Sequence, residues 1–145
     1  MKDEIFIAID PGKKGGVAWR KADEVSCASM PDTVHELVEL LSGVAVLSNS
    51  IDCVLERVGA MPHDGPSRAF TFGTNFGQIH GVLAALKIPY RLVAPQTWQK
   101  KVGALPKEKA KRKAAIKAFA QQRYPHLKVT LETSDALAML AVEDE

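Results

Sequence analysis

The chain is poor in cysteine, histidine and long apolar runs, and each shortage excludes a class of function. It has two cysteines in 145 residues, Cys27 and Cys53, and both fall in apolar segments where free buried thiols are expected rather than a disulfide. Its four histidines are scattered along the sequence. Because no cluster of cysteine and histidine has the spacing of zinc ligands, the sequence argues against a zinc site.

Signatures of membrane insertion and of several enzyme classes are also missing. No apolar run approaches the roughly 20 residues of a membrane span, and the Lys-Asp-Glu sequence after Met1 is not a signal peptide. We therefore expect a chain that makes no membrane contact and stays in the cytoplasm, which for a viral chain is the host cytoplasm. The sequence has neither a phosphate-binding P-loop nor the Gly-x-Ser-x-Gly of serine hydrolases.

The remaining composition is that of an ordinary globular protein whose positive charge is concentrated in one segment. Hydrophobic residues make up 46% and charged residues 25% of the chain, and its length predicts a single domain over residues 1–145. The net charge of +2 is too small to indicate nucleic-acid binding by itself. Between Lys100 and Lys117, however, eight basic residues accompany a single acid, Glu108, and this distribution favours contact with phosphate.

The first apolar run delivers a carboxylate to the end of a strand. Residues 5–10 are rich in β-branched side chains, and the Pro-Gly that follows Asp10 cannot continue a central strand. Two glycines then allow a reversal, so residues 5–19 are predicted to form a hairpin whose tip carries Lys13 and Lys14. A carboxylate beside a basic turn suggests a metal and a phosphate. The alternative is that Asp10 only starts a turn, as aspartate often does before Pro-Gly.

The order of the periodic segments predicts an α/β fold. Three strands form an antiparallel meander, followed by a helix, a strand, a helix, a further strand and then helices. In the second helix Gly73, Gly77 and Gly81 recur at every fourth position, which indicates close packing on the sheet or against a second subunit. The predicted elements are strands at 5–10, 17–19, 24–29, 51–55 and 90–93, helices at about 33–48, 67–86 and 107–123, a helical turn at 96–98, and a last helix capped by Thr133 or Ser134.

Three acids occupy unusual positions in this arrangement. Asp10 and Glu56 end the first and fourth strands, and Asp135 lies in the first turn of the last helix. If those two strands are parallel neighbours, their carboxylates come out side by side. Crowded carboxylates repel unless a cation neutralises them, and oxygen ligands favour Mg²⁺, with Mn²⁺ possible, over zinc. Two such ions about 4 Å apart can hold the attacking water and the leaving oxygen of a phosphodiester.

Six short motifs follow one another in a recognisable order. They are Ile-Ala-Ile-Asp-Pro-Gly near the N-terminus, a strand ending in Glu56, the Phe-Gly-x-x-x-Gly of the glycine-rich helix, Pro-Gln-Thr-Trp at 95–98, a Lys-rich helix, and Ser-Asp-Ala-Leu-Ala at 134–138. Over nearly the whole length the chain resembles the RuvC-type Holliday junction resolvases of the ribonuclease-H-like superfamily, and its brevity resembles a phage or viral form. The agreement in order is more specific than any one motif.

The resemblance implies a fold, an activity and a set of site residues. The fold is a ribonuclease-H-like mixed five-stranded sheet, a three-strand antiparallel meander plus two parallel strands, flanked by helices. The activity is that of a homodimeric, Mg²⁺-dependent crossover junction endodeoxyribonuclease, which nicks paired strands of a four-way DNA junction in recombination and repair. Asp10, Glu56 and Asp135 match the catalytic, metal-binding acids. Glu132 lies three residues before Asp135, at the place where the family has an acid or a histidine. The alternative is that Glu132 is not a ligand and only stabilises the start of the helix.

The remaining candidate residues are positioned to contact DNA. The lysine row of the basic helix favours phosphate contact, although such a row is usually a solvated face. Phe70 lies off the Phe72 and Phe76 stripe and is predicted to stack on an unpaired base at the junction centre, although a place in the core is the commoner fate of a phenylalanine. The predicted DNA contacts are Lys13, Lys14, Arg68, Phe70, Lys107, Lys109 and Lys113.

Three other functions compete with junction cleavage. Actin-like and sugar-kinase ATPases open with a similar glycine-rich hairpin, but they need a second domain for which 145 residues leave no room. A related nuclease acting on flaps, other branched DNA or RNA:DNA hybrids needs the same acids. A catalytically inactive junction-binding protein is a further alternative, and loss of metal binding would distinguish it. A two-fold dimer favours a symmetric junction, because its two active sites are related as the two cut strands are.

Overall fold

A five-stranded sheet lies between two layers of helices in the structure, a computed structural model that describes residues 4–59 and 63–144. The strands are β1 (Ile5–Asp10), β2 (Gly16–Lys21), β3 (Glu24–Ser29), β4 (Ile51–Glu56) and β5 (Arg91–Val93). The helices are α1 (Val34–Ala45), α2 (Pro66–Ala85), α3 (Pro95–Val102), α4 (Lys109–Arg123) and α5 (Leu131–Glu143). None of these helices is long and apolar enough to cross a membrane.

The strand order is β3-β2-β1-β4-β5, so the first and fourth strands are neighbours. The β1 to β2 and β2 to β3 pairs are antiparallel, whereas β4 runs parallel to β1 and β5 runs parallel to β4. The predicted mixed sheet of a three-strand meander and two parallel strands is therefore confirmed. The strand and helix bounds also follow the predicted ones closely, except for α3 and the start of α5.

Alternation along the central strands divides the core between the two faces of the sheet. Ile5, Ile7 and Ile9 of β1 pack with α1 and α2, while Phe6 and Ala8 pack with α3, α4 and α5. Successive side chains of a strand point to opposite faces, so Asp10 continues the set formed by Phe6 and Ala8. The strand thus directs Asp10 toward the layer that contains α5.

The last helix begins earlier than predicted. Thr130, not Thr133 or Ser134, is the N-cap, and its hydroxyl accepts a hydrogen bond from the backbone N–H of Thr133 at 3.3 Å. The Thr133 hydroxyl in turn accepts from the backbone N–H of Thr130 at 3.1 Å. This reciprocal pair satisfies two otherwise unpaired donors, which favours the earlier start. As a result Glu132 and Asp135 both lie within α5, three residues apart, where side chains share a face.

The glycine row of α2 is not used for packing on the sheet. Gly73, Gly77 and Gly81 are exposed, and a Cβ added at any of them would meet no atom of the described residues within 4 Å, the backbone of α2 itself aside. Close packing on the sheet, one of the two alternatives from the sequence, is therefore wrong for the described part of the chain. The second alternative, contact with another subunit, stays a prediction.

Candidate metal and DNA site

Two carboxyl groups meet at the carboxyl ends of β1 and β4. The last paired residues of these strands, Ile9 and Leu55, directly precede Asp10 and Glu56. Val54, two residues before Glu56, packs on the α5 side of the sheet, so alternation sends both carboxyl groups to that side. Each of the two groups changes the pKa of the other, so they lie within interaction range. The predicted juxtaposition of Asp10 and Glu56 is thus a feature of the structure.

Burial makes negative charge unfavourable at this pair. It raises the pKa of Asp10 well above its ordinary value, and the negative charges of Glu56 and Asp135 raise it further. Burial also raises the pKa of Glu56, although the hydrogen bond from Trp98 acts in the opposite direction. Because burial and like charge raise both pKa values, two negative charges side by side are disfavoured here unless a cation is present.

Asp135 supplies the third carboxyl group from the first turns of α5. Burial raises its pKa, and the nearby positive charges of Lys113 and Arg112 lower it. Lys113 also lowers the pKa of Asp10 and of Glu56, so this one side chain of α4 acts on all three acids. Arg112 was not among the predicted site residues. Its position depends on how α4 is rotated against α5, which the lysine spacing alone does not specify.

A hydrogen bond connects Trp98 of α3 to the site. Its indole N–H donates a hydrogen bond of 2.7 Å to Oε2 of Glu56, whose exposed fraction is 7%, and the indole itself is fully buried. Sequence reasoning noted this tryptophan in Pro-Gln-Thr-Trp but assigned it no role, and it predicted a helical turn where the structure has an eight-residue helix. A tryptophan in an otherwise polar segment was the available signal, because a buried indole N–H needs an acceptor.

The glycines of the first hairpin allow the backbone to approach two of the acids. A Cβ at Gly15 would lie 2.0 Å from the carbonyl oxygen of Asp10, and a Cβ at Gly16 would lie 2.6 Å from the carbonyl oxygen of Glu132. Both contacts are far shorter than a carbon and an oxygen tolerate. The hairpin therefore closes against the end of β1 and against the first turn of α5 because these two residues lack side chains.

The acids suit a hard cation chemically, but the structure does not present a closed metal cage. Their donors are all carboxylate oxygens, and burial disfavours their negative charge unless a cation is present. Within residues 4–59 and 63–144, however, no group of three or more His, Cys, Asp or Glu side chains is arranged to hold a metal ion. Glu132 is partly buried, and its charge is not among those that shift the pKa of the other three acids. Its role as a ligand stays a prediction.

Comparison with solved structures places this geometry in a known architecture. Thermus thermophilus RuvC in complex with a Holliday junction substrate superimposes with a TM-score of 0.63 and 12% identity, covering 97% of this chain and 96% of that one. A second Thermus thermophilus RuvC structure gives 0.57 and 15% identity, covering 93% and 90%. The chain has a RuvC-like fold. No family model matches the sequence, and no curated protein sequence matches it either.

In this RuvC-like fold the predicted DNA contacts lie on the surface of the protein. Lys13 and Lys14 are exposed at the tip of the β1 to β2 hairpin, and Phe70 is 66% exposed on α2. The exposure of Phe70, rather than a place in the core, keeps it available for stacking. Arg68 is exposed and lies 3.8 Å from the Asp64 carboxylate, a long ion pair. Lys107, Lys109 and Lys113 are also exposed, and of these three Lys113 acts electrostatically on the acids.

Proposed function

We propose that the chain is a single RuvC-like nuclease domain that uses divalent metal ions to nick four-way DNA junctions. The observation that carries this proposal is the neighbouring pair of Asp10 and Glu56, with Asp135 in electrostatic range, at one end of the central strands. Crowded acids of like charge destabilise a protein unless a cation neutralises them, and so their presence together favours a role in binding a cation. The fold similarity to a RuvC bound to a Holliday junction substrate favours branched DNA.

In this proposal the acids hold two Mg²⁺ ions, which Mn²⁺ can replace. Asp10, Glu56 and Asp135 are the ligands, with Glu132 as a fourth. Ions bound there would supply the positive charge that activates water and stabilises the leaving oxygen of the phosphodiester. Burial and the charges of Glu56 and Asp135 raise the pKa of Asp10, and this carboxyl group must be ionised to bind a cation, so metal binding becomes tighter as the pH rises.

The basic residues orient the DNA backbone over the acids. Lys113 is the first contact to consider because its charge already acts on all three carboxyl groups. Phe70, exposed at the start of α2, stacks on an unpaired base at the junction centre. The other contacts follow the DNA backbone outward from this point and neutralise its phosphates. They are Lys13, Lys14, Arg68, Lys107 and Lys109.

We further propose that the exposed glycine row of α2 is the surface where two copies form a homodimer. Replacing Gly77 with leucine should shift the dimer toward monomer, because the side chain would block the close approach of a second helix. The monomer itself should not lose stability, since leucine is favoured over glycine in a helix by about 0.5–1 kcal/mol and a Cβ at this position meets no described atom within 4 Å. Sedimentation velocity across a concentration series measures the shift.

A matched control for this substitution lies in the neighbouring helix. Gly43 of α1 is also an exposed helical glycine, and a Cβ there would also meet no described atom within 4 Å. Gly43→Leu should leave the association state unchanged. A dimer that survives Gly77→Leu at the wild-type affinity would contradict the proposed interface, as would a wild-type chain that sediments as a monomer at all concentrations.

The experiment that tests the function is cleavage of a labelled synthetic four-way junction, beside a linear duplex, a flap and an RNA:DNA hybrid, with and without Mg²⁺. We expect Mg²⁺-dependent, symmetric nicks in the junction that the Asp10→Asn variant does not make. Preferential cutting of the flap or the hybrid would show that the substrate is not the four-way junction, while the proposed metal-dependent chemistry would stand. Junction binding without any cleavage in Mg²⁺ or Mn²⁺ would instead identify an inactive junction-binding protein.

A further inference from the structure

Among the described residues the side chain of Trp98 makes one hydrogen bond, and that bond is with the site. The indole N–H is a donor with no acceptor capacity, and it donates to Oε2 of Glu56 at 2.7 Å. The ring belongs to the core cluster between the sheet and α5, with none of its surface exposed. A buried indole N–H is commonly satisfied by a backbone carbonyl or water, whereas here it is satisfied by an acid of the candidate metal site.

The β4 to β5 pairing fixes the approach of α3 to Glu56. The last pair of these two strands is Glu56 with Val93, and the backbone N–H of Arg57 donates to the carbonyl of Val93 at 2.8 Å. Helix α3 begins two residues after Val93, at Pro95, whose fixed φ suits the first position of a helix. The strand pairing that ends at Glu56 thus also determines where Trp98 lies.

The other end of α3 is held by the C-terminal helix. Lys101 in the last turn of α3 lies 2.8 Å from Oε2 of Glu143, and that carboxylate is also 3.0 Å from Arg91 of β5. Helix α3 is therefore tied to β5 directly and, through Glu143, to α5. Contacts at both ends of α3 thus favour one position of the indole N–H relative to the end of β4.

We propose that Trp98 is a positioning residue, which holds the Glu56 carboxylate in the orientation that binds the metal ion. The inference rests on the proposed nuclease function. A glutamate side chain has three rotatable bonds, and a glutamate without a partner would have to be ordered when the ion binds. A hydrogen bond to one carboxylate oxygen restricts that freedom beforehand and leaves the other oxygen for the site. Loss of such an outer partner typically weakens metal binding or activity about 10–100-fold.

The test is the affinity of the whole protein for Mn²⁺, measured without DNA from the electron paramagnetic resonance signal of free Mn²⁺. Trp98→Phe removes the N–H and keeps an aromatic ring, and we expect it to bind Mn²⁺ about 10–100-fold more weakly than the wild type. Trp19→Phe is the matched control, because Trp19 packs on the opposite face of the sheet with α1 and α2. That variant should bind Mn²⁺ as the wild type does.

A second variant separates orientation from packing. Trp98→3-benzothienylalanine keeps the size and shape of the indole and replaces its N–H with sulfur, so a packing role predicts wild-type affinity and a positioning role predicts the loss seen with Trp98→Phe. Wild-type Mn²⁺ affinity in this variant overturns the positioning role of Trp98 but leaves the proposed nuclease function unaffected. If the wild type binds no Mn²⁺, or if the Asp10→Asn variant binds Mn²⁺ as well as the wild type does, the proposed nuclease function fails. The positioning role then fails with it. This isostere also decides the question if Trp98→Phe does not fold.

Discussion

The Asp10→Asn variant should lose cleavage and, in the absence of metal, should be more stable than the wild type at neutral pH. Asparagine has the shape of aspartate and can donate a hydrogen bond to Glu56, but it carries no negative charge and is a poor metal ligand. If the aspartate contributes about 4 kcal/mol through the metal, its loss slows cleavage by about 10³-fold. The gain in stability should be about 0.5–2 kcal/mol, the usual range for a stabilising substitution at a site where activity costs stability.

The pH dependence of the free energy of unfolding explains why Asp10→Asn should stabilise the protein at neutral pH. The folded protein raises the pKa of Asp10, Glu56 and Asp135 above their ordinary values, so the unfolded chain releases these protons at lower pH than the folded chain does. The folded state therefore binds more protons above the ordinary aspartate value of 3.8, and the free energy of unfolding falls as the pH rises through the folded pKa values. The advantage of Asp10→Asn should be small at acid pH and grow toward neutral pH.

Thermal unfolding in a chelator, measured across this pH range, checks both parts of the prediction. For a chain of this length 1 kcal/mol corresponds to about 3–5 °C in Tm. Adding Mg²⁺ should raise the Tm of the wild type and leave that of Asp10→Asn unchanged, since only the wild type retains the site. Asp52→Asn, an exposed acid near the other end of β4, is the control and should show neither effect. An Asp10→Asn variant less stable than the wild type at neutral pH would contradict the interpretation of the buried pair.

The position of the acid pair was predictable because local rules determine it. Pro11 and Gly12 must end β1, so Asp10 can only lie at its end, and the apolar run of residues 51–55 places Glu56 in the equivalent position. Successive side chains of a strand point to opposite faces, so counting positions along each strand is enough to predict the face of the sheet on which each acid lies. The parallel pairing of β1 with β4 was the single non-local assumption, and it follows from the usual handedness of the connection.

Contacts between distant segments could not be predicted in this way. Lys109 and Lys113 are one helical turn apart and equivalent in the sequence, yet only Lys113 acts on the acids, because the rotation of α4 against α5 decides which lysine approaches. The hydrogen bond from Trp98 depends on the packing of α3, whose full length was not predicted. The cap of α5 was misplaced because Thr130, Thr133 and Ser134 all suit that role, and only the geometry of the chain entering the helix selects among them.

The ion pairs of Glu143 with Arg91 and Lys101, which hold α3 against β5 and α5, lead to the largest expected effect on stability. Glu143 has a side chain with 2% exposure, while its partners Arg91 and Lys101 are about half exposed, at 53% and 44%. Among the described residues its Oε2 atom has no hydrogen bond, so the 2.8 Å contact with Lys101 is an ion pair without hydrogen-bond geometry. The two cations can be solvated by water if the carboxylate is removed, whereas the carboxylate cannot be solvated if the cations are removed. Removing the cations should therefore be the more damaging change.

We expect the double variant Arg91→Met with Lys101→Met to lose about 3–5 kcal/mol of stability, the cost of leaving a buried charge without its partners. The corresponding fall in Tm is on the order of 10–20 °C. Either single variant should lose much less, because the remaining cation still compensates the carboxylate. Urea unfolding at neutral pH measures these differences, and Lys111→Met, which breaks the exposed pair with Glu108, should change little.

Adding Glu143→Gln to the double variant then isolates the cause. If the loss comes from a stranded buried charge, the neutral amide should restore most of the stability even though no ion pair has been rebuilt. If it comes instead from the lost packing of the arginine and lysine stems, the triple variant should be no more stable than the double. In the first case α3 depends on charge compensation at Glu143, and the double variant should also disturb the hydrogen bond of Trp98 to Glu56, at the opposite end of the same helix.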